Sequence, residues 1–212
     1  MTIVALGAHP DDLELSMLGT LIKYREQGHA VYPVVFTDGR RTGTPPAEHV
    51  ELRRAETLAA FALVGLEPTL LGFPNGATLY DSEVFRSIDD LFAKWHPEVI
   101  LTHALDDYHP EHRLLGRVVT DAAWAPVFFA DTMGGIDFQP DAYVDISAQF
   151  ELKRQALLQH RSQNAENLVR IAEIQNRFRG LQCDFKGKVA YAEGFRLFRR
   201  IGSMRAYQLL PQ

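Results

Sequence analysis

Cysteine is nearly missing from this chain of 212 residues: Cys183 stands alone. A single cysteine forms no internal disulfide, which excludes a stapled extracellular scaffold and points to a reducing compartment, the cytoplasm. Excess charge is missing as well. The 22 Lys and Arg face 27 Asp and Glu, giving a net charge of -5 and a pI near 5.9. No global field therefore favours nucleic acid or an anionic membrane. No apolar run is long enough to span a bilayer. Met1-Thr2 leads straight into an apolar run with no basic stretch before it, so no signal peptide is expected. Internal repeats and low-complexity tracts are absent.

What is present is ordinary in bulk. Hydrophobic residues make up 46% and charged residues 23%, enough for a sizeable core in a single domain, residues 1–212. Strand-like and helix-like patterns alternate. Strands are expected at residues 2–8, 30–36, 69–72 and 98–102, with further extended segments at 127–130, 142–146 and 188–197. Helices are expected at 15–27, 47–64, 81–95, 111–124 and 148–178, the last with a break near Ser162-Gln163. Such alternation predicts a three-layer, Rossmann-like α/β fold whose mainly parallel sheet is flanked by helices. In these folds ligands bind beyond the carboxyl ends of the strands. Four loops fall there: those starting at His9, Thr37, Phe73 and His103.

Two of the loops carry chemistry. His9-Pro10-Asp11-Asp12 follows the first strand, and Asp107-Tyr108-His109-Pro110-Glu111-His112 follows the fourth. His9 precedes a proline and should stay extended. Pro10 suits the first turn of a helix, which would place Asp11 and Asp12 in that turn. His109 and His112 lie about one turn apart and should face one side. Two histidines and one carboxylate make three ligands, the pattern of a catalytic zinc site with one position open to water. Zinc lowers the pKa of a water it holds from ~15.7 towards ~7, and a neighbouring carboxylate serves as general base. An Asp-Asp pair after a strand is more often a helix cap, and a lone His-Pro is usually a turn. Two clusters of the same build on one sheet edge favour the metal. His29, His49, His96 and His160 have no metal spacing and are expected at the surface or in packing; His103 stays open.

At these residues the chain resembles the PIG-L/LmbE family of zinc-dependent N-deacetylases. Ala8-His9-Pro10-Asp11-Asp12 with Glu14 is similar to the family's first motif, and Asp107-x-His109-Pro110-Glu111-His112 to its second. Weaker likeness covers Arg53 with Glu56, Gly72-Phe73-Pro74-Asn75-Gly76, Lys153 through Ser162-Gln163, and Tyr191-Ala192-Glu193-Gly194-Phe195. The resemblance implies one zinc per chain, with iron(II) as another occupant the sequence does not separate. It implies His9, Asp12 and His112 as ligands, Asp11 as general base, and His109 as oxyanion stabiliser and proton donor to the leaving amine. It implies Asp107 or Glu111 as carboxylates orienting the histidines, and a homo-oligomer. The implied reaction removes an acetyl group from a small N-acetyl amino sugar of the N-acetylglucosamine type, or its conjugate. Three departures stand out: Glu111 in place of the family's usual Asp, Ser16-Met17-Leu18-Gly19 in place of a more glycine-rich stretch, and Arg40-Arg41 after Gly39.

Arg40 and Arg41 suggest an anionic group on the substrate, although solvated loop charges fit equally well. Arg53 is a candidate substrate contact, but a helical arginine is more often at the surface. Phe73 to Gly76 would wall the pocket or form a plain turn. Glu193 would lie under the site, or Tyr191 and Phe195 would simply be core. Other readings keep the metal but change the amide, hold a metal without catalysis, or bind a nucleotide. Against the last, no Gly-x-Gly-x-x-Gly follows the first strand, and two carboxylates sit where a pyrophosphate would. Asp11 argues against passive metal storage, which gains little from an extra acid beside the ligands.

Overall fold

The computed structural model describes residues 1–40 and 46–199; Arg41 lies outside the described residues. Among the described residues, seven strands form one sheet: β1 (Thr2–Gly7), β2 (Ala30–Thr37), β3 (Thr69–Phe73), β4 (Val99–Thr102), β5 (Val127–Ala130), β6 (Ala142–Asp145) and β7 (Ala192–Leu197). Their order is β3-β2-β1-β4-β5-β7-β6. The first five pair in parallel, and β7 runs antiparallel between β5 and β6. The described helices are α1 (Asp12–Ser16), α2 (Leu18–Glu26), α3 (Pro46–Leu63), α4 (Ser82–Trp95), α5 (Pro110–Ala122), α6 (Phe150–Leu157) and α7 (Ala165–Cys183). The expected α/β fold with a mainly parallel sheet between helical layers is the fold observed.

Strand alternation sets the layers. Ile3 and Ala5 of β1 pack with Leu18 and Leu21 of α2, Phe61 of α3 and Phe150 of α6. Val4 and Leu6 point the other way, toward Ile88 of α4 and Leu115 and Val119 of α5. β1 is buried on both faces, as a central parallel strand must be. The winding reverses between β1 and β4, which pair with each other while β2 lies on the far side of β1. That reversal opens a crevice at the carboxyl ends of β1 and β4. Both histidine clusters emerge there.

Three expected elements differ in the structure. The helix expected at 15–27 is two helices, broken at Met17 (φ −135°). Glu193 of β7 explains the break: its carboxylate accepts from Gly19 N at 3.0 Å and Thr20 N at 2.8 Å, capping α2 from across the fold. The Lys153 ammonium holds the same carboxylate at 2.7 Å, with both side chains fully buried. Glu193 therefore caps a helix, and Phe195 on the same strand is core. The helix expected at 148–178 is α6 and α7, separated by a 3-10 turn at Arg161–Gln163 and a left-handed Asn164. Ser162 anchors that turn by donating N–H and O–H to Glu56 of α3 at 2.8 and 2.6 Å. The strand expected at 188–197 begins at Ala192.

Candidate metal centre

The first cluster does not enter its helix as expected. α1 starts at Asp12, and Asp11 precedes it with φ 116° and ψ −22°. Few non-glycine residues occupy such a conformation, which costs about 1–3 kcal/mol. Arg53 of α3 holds it in place: its guanidinium donates to Pro10 O and lies 3.3 Å from Asp11 Oδ2. Gly39 lets the loop after β2 close over this contact. A Cβ there would lie 2.9 Å from Pro10 Cδ and 3.2 Å from Arg53 Nε. Arg53 is thus buried against Asp11, where sequence favoured a surface position.

Three donor atoms converge beneath this turn. His9 Nδ1 lies 3.1 Å from Asp12 Oδ2, His112 Nε2 lies 3.2 Å from the same oxygen, and the two nitrogens are 3.3 Å apart. Ligand bonds of about 2.0–2.2 Å at tetrahedral angles need donors spaced by about 3.3 Å. His9, Asp12 and His112 therefore fit one divalent ion. The opposite nitrogens of both imidazoles meet carboxylates. His9 Nε2 is 2.9 Å from Glu111 Oε2, and His112 Nδ1 is 3.1 Å from Asp107 Oδ2. Glu111 is fixed in turn by Gly76 N at 2.7 Å. A carboxylate behind each ligand imidazole keeps the other nitrogen unprotonated for metal.

The electrostatics say that this spot attracts positive charge. Burial alone would lower both histidines, but Asp12 and Glu111 outweigh it at His9 and raise its pKa to about 10. Asp12 and Asp107 likewise raise His112 to about 9. Burial pushes Asp12 up, yet His112, His9 and His103 hold it well below the usual carboxylate range.

His103 also reaches this cluster, together with Asp12 and His112. Its Nε2 accepts from Ala8 N at 3.0 Å, so the lone pair that would face a metal is already used. The ring stacks on His112, centroids 3.8 Å apart. His103 joins the ends of β1 and β4 and supports a ligand.

His109 caps α5. Its Nδ1 accepts from Glu111 N at 3.3 Å, and its own N donates to Asp107 Oδ1 at 2.9 Å. Burial, His112 and His9 lower its pKa, which keeps the ring neutral. A neutral ring accepting at Nδ1 carries its proton on Nε2. Asp11 differs from Asp12: burial raises its pKa, Arg53 opposes, and the result is about 6.

A cleft of about 430 Å³ opens onto these groups, walled by Arg40, Asn75, Tyr108, Met133 and Gln163 among others, within the usual range for small-molecule sites. His49, expected at the surface or in packing, is buried in its wall. Arg40 lines it too, but its Nε donates to Asp38 Oδ2 at 2.7 Å. Asp38 Oδ1 also accepts from Asn75 N at 3.2 Å, so the Arg40 charge is largely answered within the protein. His160 is fully buried as expected for packing, with Nε2 2.8 Å from Glu14 Oε1. No sequence signal paired Asp38 with Arg40, or Glu14 with His160.

Known proteins share this arrangement of chain. A diacetylchitobiose deacetylase of Thermococcus kodakarensis is 29% identical over 221 residues, covering 92% of this chain and 82% of that one. The structure of the 4-carboxy-2-hydroxymuconate hydratase GalB from Pseudomonas putida superposes with a TM-score of 0.84 at 21% identity, covering 95% of this chain and 98% of that one. The N,N'-diacetylchitobiose deacetylase of Pyrococcus horikoshii superposes with a TM-score of 0.79 at 23% identity, covering 93% and 83%. A family model described as PIG-L, GlcNAc-PI de-N-acetylase, matches residues 4–123. That match runs from β1 through α5 and takes in both histidine clusters: the chain belongs to the PIG-L family.

Proposed function

We propose that this chain is a divalent-metal hydrolase that removes the acetyl group from an N-acetylglucosamine-type amino sugar or its conjugate, releasing acetate. The carrying observation is the triangle of His9, Asp12 and His112 donors with Asp11 beside it on the same cleft. The deacetylase relatives support the substrate class. Zinc fits the donor set of two imidazoles and one carboxylate. When bound, it supplies Lewis acidity toward the amide carbonyl and the attacking water.

The chain's own groups do the rest. Asp11, with a pKa of about 6, is ionised at neutral pH and takes a proton from water. Arg53 fixes its carboxylate. His109 donates its Nε2 proton as a hydrogen bond to the oxygen that gains charge. A neutral His109 would have to become an imidazolate to give that proton away. The proton on Asp11 therefore passes to the departing nitrogen, a role the family resemblance had placed on His109. Glu111 and Asp107 orient the ligand imidazoles. The single cysteine fits a cytoplasmic setting, and no described helix is long and apolar enough to cross a membrane.

The test is acetate release by zinc-loaded protein from N-acetylglucosamine, diacetylchitobiose and N-acetylglucosaminyl conjugates. Turnover that disappears on chelation and returns with zinc is expected. Consumption of 4-oxalmesaconate, the substrate named for a Pseudomonas putida relative 22% identical to this chain, with no acetate from any amide, would overturn the proposal.

A further inference from the structure

The amino ends of β4 and β5 lie at the edge of the sheet opposite the metal centre, and a second cleft of about 310 Å³ opens there. Asp89, Phe92, His96, Pro97 and Trp124 line it. Trp124, in the turn between α5 and β5, is 91% exposed, although tryptophan is highly buried on average. Asp89 is half-buried on α4, and its carboxylate has no hydrogen-bond or ion-pair partner among the described residues. No residue lining this cleft is Lys or Arg. Lys94, in the last turn of α4, lies over the Trp95 ring at 5.7 Å instead.

The charge of the cleft selects its ligand. α4 ends at Trp95 and α5 at Ala122, so the carboxyl ends of both helices lie at its rim. The last carbonyls of a helix together carry about half a negative charge. Two such ends and the Asp89 carboxylate favour a cation, and the face of an indole attracts one as well. The same face takes the apolar side of a ring, and the exposed His96 imidazole offers a hydrogen bond to a hydroxyl. A ligand that answers all of these groups is a small ring bearing an ammonium and hydroxyls. Removing the acetyl group from an amino sugar makes that molecule, whereas the acetylated substrate lacks the charge.

We propose that this cleft is a second binding site, one that takes the protonated amino sugar released by the reaction and not its N-acetylated precursor. The choice of sugar rests on the deacetylation proposed above; the preference for a cation rests on the cleft alone. The chain has two tryptophans, so Trp95→Phe, which keeps a ring against Tyr32, leaves Trp124 as a local reporter. The test follows its emission in the full, zinc-loaded chain at neutral pH as glucosamine or N-acetylglucosamine is added. A saturable change with glucosamine alone is expected. Asp89→Asn in the same background should raise the dissociation constant at least about tenfold, the size of one charge-assisted hydrogen bond, and leave acetate release as it was. No saturable response, an equal response to N-acetylglucosamine, or an Asp89→Asn variant that binds like its parent overturns the proposal. The emission needs no turnover, so binding without acetate release would overturn the deacetylation and not this site, and acetate release without binding the reverse.

Discussion

Glu111 and His9 stand 102 positions apart in the chain and 2.9 Å apart in the fold. The contact turns the Nδ1 of His9 toward Asp12 and His112, and Glu111 spans from it to Gly76 N on the loop after β3. A carboxylate behind a ligand histidine is worth roughly 10–100-fold in metal affinity. Glu111→Gln should weaken zinc binding by that factor. Glu111→Asp, one methylene shorter, should do the same because it cannot reach both partners. A chelator competition titration reads this directly, and wild-type affinity in both variants would remove Glu111 from the site's support.

Asp11→Asn should keep the zinc and lose turnover by at least about a hundredfold, the lower range of general-base contributions. Metal content and acetate release, measured on one preparation, separate the two effects. Because the base acts ionised, kcat/KM should fall as pH drops through about 6. Arg53 holds that pKa down against burial, so Arg53→Met should move the acid limb to higher pH. An unmoved limb would mean that another group titrates there.

Gly116 of α5 faces the carbonyl of His103, and a Cβ there would sit 2.6 Å from that oxygen. In a free helix Gly→Ala gains about 1 kcal/mol. Here it should lose about 1–3 kcal/mol through overpacking and weaken zinc binding, because α5 carries His112. Urea unfolding with and without metal shows both; a stabilised variant would contradict the close approach.

Lys153 and Glu193 form a fully buried ion pair. Lys153→Met strands the carboxylate and should cost about 3–5 kcal/mol in denaturant unfolding. Lys153→Met with Glu193→Gln should recover part of the loss, since no lone charge is left inside. A double variant no more stable than the single one would show that charge burial is not the cause.

Burial lowers the pKa of His160, but Glu14 outweighs it and raises it above the ordinary value. A raised histidine adds stability that is complete below its unfolded pKa, about 6.5, and is lost as pH rises through the folded value. The stability gap between wild type and His160→Gln should be widest below about pH 6.5 and shrink above it. A gap that grows with pH would reverse the assignment.

Local pattern determined much of this molecule. The apolar run of β1, the helix stops and the prolines after His9 and His109 are nearest-neighbour chemistry, and they place both clusters at strand ends. Spacing and motif also brought His9, Asp12, His112, Asp11 and His109 forward together. Other features depended on partners far away in the chain. Met17 breaks a helical pattern because Glu193 caps α2 from β7. Arg53 is buried because Asp11 and Pro10 meet it. His103 holds Ala8 and stacks on His112, which settles whether its lone pair is free for a metal. Periodicity reports how each residue sits on its own element; which charge answers which, and which nitrogen carries a proton, depends on groups that only folding brings within 3 or 4 Å.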